Sequence, residues 1–228
     1  SIDLVLTDPP YYDNLSYSEL SDFYHVWLRK LLGAEYVGAS QKHTPMATAI
    51  YGGSRKGGVE DPVQQFIRRL SSVFAECYRV AKSDGALIFT FHHRAAEAWN
   101  GLGQAVLGAG FMVHEVCPVR SEGRSGLHTY EGSIKWDAVF VCHKGDTPRR
   151  VIPTQRALEE AAAAANAQAK IWAAHIRRSR LSFAEADQNS FTMGSLLKVF
   201  SDRRFEPRFL KSALELLVGA RARTPRSR

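Results

Sequence analysis

The stretch Ile2-Asp3-Leu4-Val5-Leu6-Thr7-Asp8-Pro9-Pro10-Tyr11-Tyr12-Asp13-Asn14 begins as a strand and is stopped by its own prolines. Ile2 to Leu6 is a short β-branched and leucine run, and two successive prolines cannot continue a central strand. In an open parallel sheet, ligands bind in the crevice beyond the C-terminal ends of the strands. Asp8, Pro9, Pro10 and Tyr11 occupy such an end. The prolines fix the backbone and leave carbonyl oxygens without competing N–H donors. Tyr11 offers a flat face, on which a base stacks for roughly 1–3 kcal/mol. Asp8 can accept a hydrogen bond from an exocyclic amino group.

Beyond this segment the chain alternates in type. Leu20 to Leu32 has helical spacing (Leu20, Phe23, Tyr24, Trp27, Leu28, Leu31), with Gly33 just past its end. Gln41 to Asp61, with Gly52-Gly53-Ser54-Arg55-Lys56-Gly57-Gly58, has no period and reads as a mobile loop. Pro62 to Val80 is helical, with Asp61 as N-cap and proline in the first turn. A turn at Ser83-Asp84-Gly85 precedes the apolar run Ala86 to Phe91, of the kind that fills a strand buried on both faces. Ala95 to Leu107 is a third helix, and Phe111 to Val119 and Asp137 to His143 are two further strands. Strands alternating with helices predict an α/β fold: a mostly parallel sheet covered on both faces, its last two strands joined without a helix and able to pair antiparallel. From Gln155 onward the reading is helical, with Ala157 to Arg178 rich in alanine and a short amphipathic segment at Phe209 to Val218.

Composition sets bounds. The chain has 228 residues, 45% of them hydrophobic, with 30 Lys+Arg against 23 Asp+Glu and a formal net charge of +7. Four tryptophans and ample aliphatic content exclude a disordered chain. No apolar run approaches the roughly 20 residues a membrane-spanning helix needs. Cys77, Cys117 and Cys142 lie far apart, so they predict neither a zinc site nor a disulfide framework, and read as small core residues of a reducing compartment. The expectation is a soluble cytoplasmic protein with no membrane partner. Residues 1–145 carry 14 Lys+Arg and 15 Asp+Glu, residues 146–228 carry 16 and 8. This predicts a nearly neutral unit at 1–145 and a basic, mainly helical extension at 146–228.

Asp8-Pro9-Pro10-Tyr11 resembles the Asp-Pro-Pro-Tyr motif of the amino-group (adenine N6) DNA methyltransferases. The run from Asp8 to Leu28 is similar to one group among them, large adenine-specific methylases that carry an extra N-terminal domain of unknown function. Glu76-Cys77-Tyr78-Arg79-Val80, Gly85 to Phe91-His92-His93, Ala98-Trp99 and Ala109-Gly110-Phe111 resemble the same family in the same order. The resemblance covers about residues 1 to 145. It implies a Rossmann-like methyltransferase sheet and methyl transfer from S-adenosylmethionine to the adenine amino group of DNA. Asp8 and the Pro9 carbonyl would take hydrogen bonds from that amino group, and Tyr11 would stack on the base after it leaves the duplex. One departure matters. The family holds its cofactor on a Gly-rich turn after a strand, and no such turn occurs here. The Gly52 to Gly58 run follows no strand and opens no helix. The expectation is a C-terminal fragment whose cofactor half precedes Ser1 or comes from a complementing subunit.

Other residues keep two readings. Tyr12, Asn14 and Tyr17 either line the substrate pocket or pack the loop. His92 or His93 either faces substrate or is a polar strand-end residue. A metal site there is not expected, since no Asp, Glu or Cys lies at ligand spacing nearby. Trp27 and Trp99 are read as core, and Ser18 and Glu19 as helix caps. The 41–61 loop either closes over substrate or does nothing specific. The basic residues Arg177, Arg178, Arg180, Arg203, Arg204 and Arg221 to Arg228 either contact phosphates or form a solvated face. The alternative functions are an RNA or protein-glutamine methyltransferase, or a non-catalytic nucleic-acid-binding module.

Overall fold

The computed structural model describes residues 2–12, 17–35, 62–121, 133–145 and 150–222. The elements are β1 (Ile2–Thr7), α1 (Tyr17–Leu32), α2 (Pro62–Val80), β2 (Ala81–Phe91), α3 (Ala96–Gly108), β3 (Phe111–Arg120), β4 (Trp136–Lys144), α4 (Gln155–Arg178), α5 (Glu185–Asp202) and α6 (Leu210–Ala222). The four described strands form one sheet in the order β1-β2-β4-β3. β1 runs parallel to β2, with Thr7 beside Phe89. β4 lies antiparallel between β2 and β3, pairing Phe91 with Ala138 and Arg120 with Trp136. Among the described strands β1, β2 and β3 run in one direction and β4 alone is reversed, so the last two strands pair antiparallel as expected, while the place of β4 next to β2 adds to that reading. β3 reaches β4 without an intervening helix, which permits antiparallel but not parallel pairing, and β4 then inserts beside β2.

Period-two alternation decides which face is packed. Leu87, Phe89 and Phe91 of β2, Phe111, Val113 and Val116 of β3, and Ala138, Phe140 and Cys142 of β4 are all buried. Phe89 and Phe140 stack across the β2–β4 pair, 4.8 Å between centroids. Trp99 of α3 meets Phe91 edge-on at 4.9 Å and lies 6.1 Å from Phe140, while its indole N–H donates to the His93 carbonyl at 2.9 Å. Trp99→Ala would open a cavity here at a cost of about 3–5 kcal/mol. The intervening side chains Ile88, Thr90, Val139 and Val141 are only half-buried. Cover on both faces is therefore not what the described residues show: one face holds the core, and the other is partly open.

The helices that follow β4 belong to the same core. Leu158, Ala161, Ala165 and Ala169 of α4, Leu196, Leu197 and Phe200 of α5, and Leu214 of α6 join the cluster built on the sheet. The small residues along α4 let α5 approach closely. Polar bonds fasten α5 to both ends of the sheet. Near its start, the buried Asp187 carboxylate accepts from the Lys135 and Ala184 backbone N–H groups at 2.6 and 2.9 Å, and Ser190 Oγ accepts from the His93 N–H at 3.4 Å. Near its end, Ser201 Oγ accepts from the Val113 N–H at 2.8 Å. Composition signalled helix here but not these fastenings.

Both α4 and α5 end on an arginine in the left-handed region. Arg180 has φ 58° and Arg204 φ 56°. The Arg180 N–H donates to the Arg177 carbonyl at 3.0 Å and the Leu181 N–H to Ile176 at 3.3 Å; Arg204 and Phe205 repeat the pattern with Ser201 and Phe200 at 3.0 Å each. This is the Schellman arrangement, where glycine is the usual residue, and a side chain there costs about 1 kcal/mol.

Two expectations change. Trp99 is fully buried as expected, but Trp27 is 52% exposed. The other described apolar side chains of α1, Phe23, Tyr24 and Leu31 among them, are exposed as well, so helical spacing in α1 does not correspond to a packed face. The Ser83-Asp84-Gly85 segment lies inside β2 rather than in a turn before it, where the β1–β2 register shifts between Ile2 and Leu4. Asp61 and the Gly52 to Gly58 run lie outside the described residues.

Candidate active site

At the C-terminal end of β1, Asp8 is exposed, Pro9 is buried, and Pro10 and Tyr11 are half-buried. Parallel pairing sets Thr7 beside Phe89, so Asp8 lies level with Thr90, and the Thr90 hydroxyl donates to Asp8 Oδ1. On the antiparallel side, Thr90 pairs with Val139 and Phe91 with Ala138. The next step of the ladder brings His92 opposite Asp137, and His92 Nδ1 meets Asp137 Oδ1. Tyr11 completes the group, its hydroxyl donating to Asp137 Oδ1 at 3.4 Å. Asp8, Thr90, His92 and Asp137 thus share the partly open face of the sheet, away from the core. They are aligned there by alternation alone.

Tyr11 is held on several sides. Its ring lies 5.1 Å from Phe91 at a tilt and 4.8 Å from His92, edge to face. Burial pushes its phenol well above the usual tyrosine range; hydrogen bonding from Thr90 works against the shift, and the Asp137 and Asp8 carboxylates add to it. Tyr11 therefore stays protonated and acts as a donor. Facing the Asp137 carboxylate, His92 Nδ1 is in position to donate, and Nε2 points to the other side of the ring.

Tyr12 turns inward. It is buried, has φ 56°, and meets Phe66 of α2 at 5.1 Å and His93 at 5.5 Å, both edge to face. Of its two sequence readings, this position corresponds to packing. His93 is buried beside it, its Nδ1 accepting from the Ala95 N–H at 3.0 Å. Tyr17 is the first residue of α1, and its side chain, like all of Asn14, lies outside the described residues. Sequence reasoning missed Thr90 and Asp137. Both stand on alternating strands opposite core residues, a signal present in the pattern, but only the register across three strands shows that they converge with Asp8 and His92.

A family model described as DNA methylase (N6_N4_Mtase) matches residues 2–178. The chain belongs to this family of DNA methylases. The match takes in the Asp8 to Tyr11 segment, His92, Asp137 and the whole of α4. Comparison with curated proteins and with solved structures gave no match. Among its described residues this DNA methylase has no cluster of three or more metal-ligating side chains, and no helix long and apolar enough to cross a membrane. The described glycines do not form a cofactor cradle. Gly101 and Gly103 sit within α3, where an added Cβ would meet Phe66 and Leu210, and Gly85 sits inside β2 against the β1 backbone. None of these opens a helix after a strand.

Proposed function

We propose that this DNA methylase acts on the exocyclic amino group of adenine, with S-adenosylmethionine as methyl donor, and that the described residues supply the acceptor side of the reaction. The observation that carries this reading is the exposed Asp8 carboxylate at the strand end, braced by Thr90 and followed by Pro9, Pro10 and Tyr11. The adenine amino nitrogen is a poor nucleophile because its lone pair is delocalised into the ring. Hydrogen bonds from its two N–H groups to the Asp8 carboxylate and the Pro9 carbonyl favour a tetrahedral nitrogen and localise that lone pair. No covalent intermediate with the protein is needed, and the remaining catalysis is positioning. The base is extruded from the duplex at a cost of a few kcal/mol and rests against Tyr11. The ring of Tyr11 is fixed for that task by Phe91, His92 and Asp137.

The cofactor is held elsewhere in the working enzyme, by a segment of the same polypeptide or a complementing subunit. What supports this is the outer edge of β1. It pairs with no other described strand, and Leu4 and Leu6 are 49% and 71% exposed. An exposed leucine-bearing edge of this kind is ordinarily covered.

The test is product analysis. DNA methylated with labelled S-adenosylmethionine by the natural polypeptide that carries this chain is digested to nucleosides, with N6-methyladenine the expected product. Label in N4-methylcytosine, or in RNA or protein with adenine unlabelled, rejects the adenine reading. Loss of transfer in Asp8→Ala separates the enzyme from a non-catalytic binding module.

A further inference from the structure

Five of the basic side chains described after β4 have partners. Arg156 and Arg203 pair with Glu160 at 3.0 and 3.7 Å, Lys198 with Asp202 at 3.0 Å, and Arg208 with Glu206 at 2.6 Å. Arg150 donates to the Leu107 carbonyl at 2.6 Å. Lys170, Arg204 and Lys211 are exposed with no ion pair among the described residues and stand singly along the sequence, whereas the corner between α4 and α5 gathers three such cations within four residues. Arg177, Arg178 and Arg180 are exposed, and among the described residues no ion pair engages them. Glu185, the first acid along α5, is exposed and forms no ion pair with them among the described residues.

The fold sets this corner beside the candidate active site. The Trp136 indole N–H donates to the Ser182 carbonyl at 2.9 Å, and the Trp136 and Phe183 rings meet edge-on at 5.6 Å. Trp136 immediately precedes Asp137. Across the β3–β4 ladder it pairs with Arg120, and Lys135 precedes it; both are exposed and, like the arginines, have no ion pair among the described residues. Unneutralised cations therefore collect at the sheet end that carries Asp8 and His92.

Arg177 and Arg178 alone have an ordinary structural reading, since cations in the last turn of a helix are favoured by its dipole. Arg180 does not. It lies past the helix end, at a left-handed position where glycine serves the backbone better, so the helix does not require its side chain; Arg204 shares that geometry, and what separates the two is their place at opposite ends of the sheet.

We infer that the α4–α5 corner, Arg177, Arg178 and Arg180 with Arg120 and Lys135 beside them, binds the sugar-phosphate backbone of the DNA duplex flanking the extruded base. This rests on the DNA reading above and assigns it a surface. Contacts of this type position the duplex without reading its sequence. Each phosphate neutralised contributes about 0.9 to the slope of log affinity against log salt. Arg204 provides the control. It has the same left-handed geometry and exposure but closes α5 at the opposite end of the sheet, near Ser201 and Val113.

The experiment measures binding of a fluorescent 30-base-pair duplex by anisotropy over a potassium chloride series, with the natural polypeptide and three variants: Arg180→Gly, Arg204→Gly, and Arg180→Gly combined with Arg177→Gln and Arg178→Gln. The triple variant is expected to bind about tenfold more weakly or worse, with the salt slope reduced by about 2 to 3, and Arg180→Gly alone to lower it by about 1. Arg204→Gly keeps the wild-type slope. Both glycine variants melt at or above the wild-type temperature, which excludes unfolding as the cause. A triple variant with the wild-type slope, or an Arg204→Gly loss equal to that of Arg180→Gly, overturns the assigned surface while the DNA reading stands. A wild-type protein that shows no salt-dependent duplex binding overturns both.

Discussion

The His92 imidazole and the Asp137 carboxylate face each other across the end of the β2–β4 ladder, Nδ1 to Oδ1, and Tyr11 donates to the same oxygen. One acid thus orients both a histidine and the motif tyrosine. Asp137→Asn keeps the shape but loses the charge and can present an amide N–H to His92. The expected result is a fall in methyl transfer of about tenfold to a hundredfold, as for misplaced positioning groups, with about 1–3 kcal/mol lost from stability. Nitrogen-15 spectra of the His92 ring report the tautomer directly. An unchanged ring signal alongside unchanged turnover would show that Asp137 holds nothing.

Thr90 braces Asp8 from the neighbouring parallel strand. Thr90→Val keeps the β-branched shape and removes the donor. Because Asp8 is exposed, little stability is at stake, so the effect belongs to turnover. A drop in kcat of about tenfold with the melting temperature held is the expected pattern. Equal kcat in the two proteins removes Thr90 from the site.

Tyr11 makes stability sensitive to alkali. Burial raises its phenol in the folded protein, so the folded chain keeps a proton that the unfolded chain gives up above about pH 10. The sign follows: this contribution is complete below about pH 10 and is lost as pH rises further. Urea unfolding at about pH 8 and about pH 11 should show a steeper alkaline loss in wild type than in Tyr11→Phe. Parallel losses contradict the assignment.

The three thiols differ in access. Cys142 is fully buried on β4 and burial alone pushes its thiol up, whereas Cys77 and Cys117 are half-buried and raised for the same main reason. A maleimide under native conditions should label Cys77 and Cys117 first and reach Cys142 only as the protein unfolds. Mass spectrometry of a labelling time course checks the order, and early label on Cys142 would count against the packed β2–β4 face.

Much of the fold was legible because its signals are local. Pro9 and Pro10 end β1, the apolar runs mark β2 through β4, and Pro62 opens α2; each rests on backbone restriction or periodicity within a few residues. Asp8 to Tyr11 was legible for the same reason. The insertion of β4 between β2 and β3 was not, because pairing order is decided by contacts distant in sequence. Asp137 and Thr90 escaped notice on that account: each is an ordinary outward strand residue until register brings it beside His92 and Asp8. Trp27 shows the converse failure, since helical spacing records an apolar face without saying what covers it. Arg180 stood out in the sequence only as one basic residue among many, until its place two residues before Ser182, whose carbonyl takes the Trp136 indole N–H, set it at the active-site end of the sheet.

The central claim is that Asp8 engages an adenine amino group. Its most direct test compares wild type with Asp8→Asn and Asp8→Ala in the natural polypeptide, measuring labelled methyl recovered as N6-methyladenine from duplex DNA, with duplex binding recorded in parallel. The account predicts N6-methyladenine from the wild type, a loss of at least about a hundredfold in both variants, and DNA binding close to wild type. Undiminished N6-methyladenine from Asp8→Ala, or wild-type label that never appears on adenine, would contradict it.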